Sequence, residues 1–288
     1  MLESVFMIKK DTFYSLLDKM EPSPFEIMQQ HAPIRTLKSS STNYITFNRE
    51  RFYETIRYAL KYVKTSNIKI CDIGVFPGTL LRILREVLPK EGISAKLMGA
   101  GLYISKDFYS HFKDRLGIDI YTVNIDPANH DLKDKNYPTM IPIPDDSVDL
   151  VFAVETIEHL HDPAHMLKEA RRILKPGGII ILTTPNVTRI GSVFKLLAGM
   201  SNFDRLAPAG YSNPSDEWRP HFREYSMTEL FAFIEQNGLR VLDKLFFYGD
   251  QTVFNVKTLK HKFIDLLKIP FYLVPHLRET LLIVGEKP

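Results

Sequence analysis

The sequence predicts an α/β fold, a parallel, doubly wound sheet with helices on both of its faces. Three observations predict it. From about residue 67 onward, short apolar runs alternate with segments of helical apolar spacing, the pattern of strand–helix–strand units. One run, "VDLVFAV", is apolar at nearly every position, as a strand covered on both sides must be. The first strand-to-helix junction, "CDIGVFPGTLLRIL", carries glycines at the point where such sheets bind nucleotides.

The elements follow in order. "RERFYETIRYALKYVKTS" places Phe52, Ile56, Ala59, Leu60 and Val63 on one helical face. "IKICDIG" is the first strand, and "TLLRILREVLP" a helix stopped by Pro89. "AKLMGAGLYI" and "IDIYTVNID" give the second and third strands, and "VDLVFAV" the fourth. "DPAHMLKEARRILKPGG" is a punctuated helix: Asp162 suits the N-cap, Pro163 the first turn, and Gly177–Gly178 the stop. "IIILTTPN" is the fifth strand. "TELFAFIEQNGLRVLDKLFFYG" gives a helix, a glycine stop and the sixth strand, and "ETLLIVGEKP" the seventh. Residues 1–66 read as an N-terminal helical extension and 67–288 as the main domain, interrupted by insertions at about 188–220 and 251–276.

The 288 residues suit one large domain with additions, and 44% hydrophobic residues provide for a core. A net charge of +3 is too weak to argue for nucleic acid. The single cysteine, Cys71, excludes an intrachain disulfide and reads as a buried structural thiol. The first twenty residues mix charges among their apolar positions, unlike a secretory leader, and no run is long enough to span a bilayer. These features predict a cytoplasmic protein.

The first loop does not have dinucleotide-binding spacing. Asp72 precedes Gly74 by two positions, Phe76 and Pro77 stand where another glycine is more usual, and Gly78 closes the turn. A carboxylate at the strand end repels a pyrophosphate and suits an ammonium. A nicotinamide oxidoreductase therefore fits poorly, while a loop that binds nothing stays open at this point.

"CDIGVFPGTLLRIL" resembles motif I of the class I S-adenosylmethionine-dependent methyltransferases. "IPIPDDSVDLVFAVETIEHLHDPAHMLKEARRILKPGGIIILTTPN" is similar to the block that follows it in methyltransferase type 11-like members. The resemblance covers roughly residues 67–250 and implies a Rossmann-like, seven-stranded, mostly parallel sheet whose last strand is antiparallel. It implies S-adenosylmethionine as cofactor, with Asp72, Gly74, Phe76 and Gly78 around its methionine end and Val154 and Glu155 nearby. Asp126 matches the position that accepts a hydrogen bond from adenine. Tyr103 stands where the family usually has an acidic residue for the ribose, and as a cofactor-binding residue its phenol can make one such bond but not the bidentate pair. The insertion with "HFREYSMTEL" resembles a subgroup associated with surface-polysaccharide or glycolipid pathways.

In "ETIEHL", Glu155, Glu158 and His159 fall at i, i+3 and i+4, one face of a helix. His159 and Glu158 are the candidate catalytic residues, as base or as acceptor-orienting groups. The small-RNA 2′-O-methyltransferases and the ubiquinone-pathway O-methyltransferases resemble this chain in that stretch. In the RNA enzymes a further histidine precedes a Glu-aromatic-hydroxyl run, matched here by His221, Glu224, Tyr225 and Ser226. The resemblance implies a divalent metal on Glu155, Glu158, His159 and His221, with Mg²⁺ as the family-style ion and Mn²⁺, Fe²⁺ or Zn²⁺ also suited to two imidazoles. The alternative is a Glu158–His159 hydrogen-bonded pair with His221 lining the pocket. His161 and His165 read as surface residues.

Around the post-β insertion, Phe203, Tyr211, Trp218, Phe222 and Tyr225 sit among Arg205, Arg219 and Arg223, able to stack on sugars or bases or to form a small satellite core. The functional expectation is O-methylation of a small molecule or glycan hydroxyl. The alternatives are a metal-dependent RNA 2′-O-methyltransferase and a non-catalytic methyltransferase-fold subunit. Nucleic acid is the disfavoured partner. A membrane surface, suggested by the lysine-rich apolar stretch 257–271, is less favoured than a small acceptor.

Overall fold

A computed structural model describes residues 8–26, 44–102, 104–128, 137–202, 221–248, 270 and 273–288. Its centre is a seven-stranded sheet in the order β3-β2-β1-β4-β5-β7-β6. The strands are β1 (Asn67–Ile73), β2 (Ser94–Gly101), β3 (Asp119–Thr122), β4 (Val148–Val154), β5 (Leu174–Pro185), β6 (Arg240–Phe247) and β7 (Thr280–Glu286). All neighbours from β3 to β5 pair in parallel, and β7 lies antiparallel to both β5 and β6. The doubly wound architecture and the reversed last strand are thus both observed.

The strands alternate their side chains between two apolar layers. Ile70, Leu150, Phe152, Ile181 and Leu282 point to one face, and Cys71, Val151, Ala153, Ile180 and Ile283 to the other. The first layer is covered by α1 (Lys10–Leu17), α2 (Arg49–Tyr62) and α3 (Thr79–Val87). The second is covered by α4 (Pro163–Ile173) and, after α5 (Ile190–Leu197), by α6 (Met227–Gln236). Cys71 is a fully buried free thiol.

Helix punctuation follows the sequence. The Asp162 carboxylate accepts from His165 N–H and Pro163 opens α4. Ser226 and Glu229 form a complete capping box on α6. Strand β5 starts earlier than expected, because Leu174 already pairs with Val148. Gly177, at φ 76°, turns the chain inside this irregular start rather than ending the helix.

The N-terminal helices are part of the core: Phe13, Leu17, Phe25, Ile45, Phe52 and Ile56 are buried in the first layer. Glu26, fully buried, accepts hydrogen bonds from Thr79 Oγ1 (2.7 Å) and Arg82 Nη1 (2.6 Å) at the start of α3. No helix among the described residues is long and apolar enough to cross a membrane. The strand order reverses between β1 and β4, so the crevice at their carboxyl ends is where a doubly wound sheet receives a ligand.

Candidate active site

The loop after β1 forms one wall of that crevice. Gly74 and Gly78 hold φ 84° and 83°, which L side chains rarely adopt. Both also touch neighbours closely: a Cβ on Gly74 would overlap the Thr156 side chain, and one on Gly78 the ring of Phe112. Thr156 Oγ1 in turn donates to the carbonyl oxygen of Ile73 (3.2 Å) or of Val154 (3.1 Å), tying the loop to the end of β4. The Phe76–Pro77 peptide is cis, and Phe76 lies half-buried against Phe108. Asp72 is 4% exposed, and burial pushes its carboxyl up to about 8.

The segment after β4 forms the opposite wall. The expected helix through "ETIEHL" is instead a short 3₁₀ turn, Ile157–His159, entered through Glu155 at φ 49°. Glu155 holds that backbone by donating its N–H to Thr183 O (3.0 Å) and accepting from Thr183 Oγ1 (3.0 Å). Its other oxygen is 3.3 Å from Arg51 Nη1, a residue of α2 whose Nη2 also donates to Tyr44 Oη (3.3 Å). Glu155 is thus engaged by Arg51 and Thr183, and the ligand atoms that converge come from Glu158, His159 and His221. The reason is the left-handed residue before the turn, which breaks the helical i, i+3, i+4 alignment.

Glu158, His159 and His221 do converge, with one ligand atom from each within 4.8 Å of the others. Glu158 is fully buried. Its Oε2 accepts from Thr184 Oγ1 (3.0 Å), while its Oε1 has no hydrogen-bond partner among the described residues. Burial, with the nearby Glu155 charge adding to it, pushes the Glu158 carboxyl up to about 8. His159 Nε2 lies 3.9 Å from Glu158 Oε1, and the His159 and His221 rings are 4.8 Å apart, edge to face. Phe222 N–H donates to the Glu158 carbonyl (2.8 Å), which anchors the His221 segment to the turn. Burial pulls the His221 imidazole down, but Glu224 and the Glu158 and Glu155 carboxylates outweigh it and leave it raised.

Asp126 occupies the third side, 1% exposed. Its Oδ1 accepts from the N–H groups of His161 (3.0 Å) and Asp162 (2.9 Å), and its Oδ2 faces His161 Nδ1 at 3.0 Å. This carboxylate latches the segment that follows the 3₁₀ turn through these three contacts. His161 is exposed at the surface, as expected, and its ring also packs on Phe222 (3.8 Å between rings). His165 is tied through Nε2 to the Thr139 carbonyl at 2.9 Å. Val154 ends β4 half-buried beside the crevice. Tyr103, Phe203, Arg205, Tyr211, Trp218, Arg219 and the stretch 251–269 lie outside the described residues.

Arg51, Tyr44, Thr183 and Thr184 escape the sequence reading. Arg51 sits on an amphipathic helix among other charges, where a solvated face is the ordinary interpretation. The threonines at the end of β5 carried one available signal, two hydroxyls at the carboxyl end of an otherwise apolar strand.

Comparison with known proteins agrees with this architecture. The methyltransferase domain family matches residues 44–244. A protein of Mycolicibacterium smegmatis described as a probable S-adenosylmethionine-dependent methyltransferase is 36% identical over 105 residues, 36% of this chain and 34% of its own length. A ubiquinone biosynthesis O-methyltransferase of Colwellia psychrerythraea is 26% identical over 125 residues, 43% of this chain and 46% of its own. The chain thus spans a third to a half of the length of these two relatives. A solved structure of a candidate methyltransferase from Bacillus halodurans shares the fold at a TM-score of 0.51 and 14% identity, covering 83% of this chain and 99% of that one.

Proposed function

Because this chain belongs to the methyltransferase domain family, we propose that it moves a methyl group from S-adenosylmethionine to a hydroxyl of a small molecule or glycan. The observation that carries the reading is what gathers at the carboxyl ends of β1 and β4: a glycine loop with a buried carboxyl, and a carboxyl–imidazole cluster.

The first wall fits the cofactor. A buried Asp72 raised to about 8 is held back from ionising only by its surroundings. The ammonium of an amino-acid end would supply the missing counter-charge. Arg51, already positioned by Glu155 and Tyr44, is suited to the carboxylate of that same end. Asp126 enters as a wall of the cleft, since His161 and Asp162 hold most of its acceptor positions.

S-adenosylmethionine supplies a methyl already activated on a sulfonium. The chain's own tasks are then to align the acceptor, exclude water and take up the hydroxyl proton. His159, partly open to the crevice and beside the buried Glu158, is placed for the last of these. The O-methyltransferase among the relatives supports a hydroxyl acceptor.

A second reading adds a divalent metal on Glu158, His159 and His221, favoured by the fully buried Glu158 Oε1, which has no hydrogen-bond partner among the described residues. One carboxylate and two imidazoles suit Mn²⁺, Fe²⁺ or Zn²⁺, which would polarise the acceptor oxygen.

Titration calorimetry with S-adenosylhomocysteine tests the main reading. Micromolar binding is expected, weakened at least about tenfold in Asp72→Asn. In Arg51→Met, S-adenosylhomocysteine should lose affinity while 5′-methylthioadenosine, which lacks the amino-acid end, does not. Absence of binding at about millimolar ligand would end the proposal. Transfer of labelled methyl to hydroxylic acceptors, with and without Mn²⁺ or chelator, then separates the two versions.

A further inference from the structure

His221 has two nitrogens, and its surroundings treat them differently. Nδ1 stands 3.6 Å from Glu224 Oε1, beyond hydrogen-bond length but within strong electrostatic reach in a buried site. Glu224 is 7% exposed and cannot turn away, because Arg189 grips both oxygens: Nη1 donates to Oε2 (2.5 Å) and Nη2 to Oε1 (2.8 Å). Arg189 is itself fixed, since Nη1 also donates to the Asn186 carbonyl (2.9 Å). Asn186 is fastened through Nδ2 to the carbonyls of His276 (2.8 Å) and Arg278 (2.7 Å). On the other side, the Phe222 N–H to Glu158 bond sets the backbone of the histidine.

We propose that Glu224, clamped by Arg189, is a positioning residue that fixes the tautomer of His221, with the proton on Nδ1 and the lone pair on Nε2. A carboxylate facing Nδ1 favours a proton there, and the neutral ring then has an acceptor only at Nε2. The ring belongs to the converging group with Glu158 and His159, and a lone pair on Nε2 would be the one available there. The arrangement couples the insertion after β5, which contributes Arg189, to the chemistry of the crevice. The inference rests on the proposed function for the use of that nitrogen, and on geometry alone for the tautomer.

Heteronuclear NMR of protein labelled with ¹⁵N-histidine tests it without cofactor or turnover. The His221 signals are identified by their loss in His221→Asn, at a pH of about 9 where imidazoles are neutral. The wild type should show the Nδ1–H tautomer in excess, and Glu224→Gln should lower the ratio of Nδ1–H to Nε2–H by about tenfold. Glu224→Asp and Arg189→Lys keep the charges and should fall between, which protects the test if Glu224→Gln folds poorly. A wild type in the Nε2–H form, or a ratio unchanged across folded variants, overturns the inference. Calorimetry with Mn²⁺ is the second arm: if metal binds, Glu224→Gln should weaken it about 10- to 100-fold, and no further in a His221→Asn background. A full effect of Glu224→Gln in that background would count against positioning through His221. Failure of the wild type to bind Mn²⁺ removes the metal reading alone, and the tautomer ratio still decides this one.

Discussion

Glu158 sets a pH dependence whose sign follows from its burial. Its carboxyl is raised to about 8 in the folded chain against an ordinary value near 4.5. The folded state therefore keeps a proton that the unfolded state gives up, and stability declines as pH rises between those two values. The contribution is fully present below about 4.5 and lost as pH climbs through about 8. Asp72, also raised to about 8, acts in the same sense. Thermal melts followed by circular dichroism from about pH 5 to 9 should fall for the wild type and fall less for Glu158→Gln. Parallel curves for the two proteins would contradict the assignment. Binding offers an independent check on Asp72: pairing with a ligand ammonium at pH 7 would ionise it, so S-adenosylhomocysteine should release protons. Calorimetry in buffers of different ionisation enthalpy would register that release, and Asp72→Asn should abolish it. Glu158, His159 and His221 were legible because they sit in a short motif and one downstream match. Arg51 was not, since its partner Glu155 lies about a hundred residues away and nothing local distinguishes it from other surface arginines.

Among the elements, turns were harder to read than strands and helices. Apolar alternation located all seven strands, and Asp162, Pro163 and Ser226 punctuate helices by chemistry local enough to see. The spacing of three polar residues predicts a helix after β4, where the structure has a 3₁₀ turn. What decides it is long-range: Thr183 on β5 captures both the N–H and the carboxylate of Glu155. The loop after β1 makes an equally local demand. Gly74→Ala would place a Cβ at φ 84° and against Thr156, so a loss of about 1–3 kcal/mol in denaturant melts is expected. Thr156→Ala in the same chain should recover only part of it, because the backbone strain remains. Ser226→Ala, which removes the capping box of α6, should cost about 1 kcal/mol and leave ligand binding unaltered.

At the scale of the whole molecule, the doubly wound parallel sheet followed from alternation of elements and a reversed last strand from resemblance, and both are observed. The role of the N-terminal residues was less visible. Their apolar positions look like those of any amphipathic extension, yet Phe13, Leu17 and Phe25 are core residues and Glu26 is pinned to Thr79 and Arg82. A chain starting after Glu26 should melt well below the full chain, by about 10 °C or more, or fail to remain soluble. Glu26→Gln tests the polar part of that attachment and should shift the melt by a few degrees at most.

The placement of β7 bears on how the protein is made. Strand β5 ends at Pro185, and the strand that covers its open edge begins only at Thr280, roughly a hundred residues later in synthesis. Until then the apolar run Ile179–Leu182 is paired on the β4 side alone, and β6 has no neighbour at all. A growing chain must therefore carry an unpaired, hydrophobic sheet edge through the translation of both insertions, the kind of surface that other chains adhere to. Nascent chains stalled before Thr280 should remain protease-sensitive beyond β5 and bound by holding chaperones, and release of the last strand should end both together.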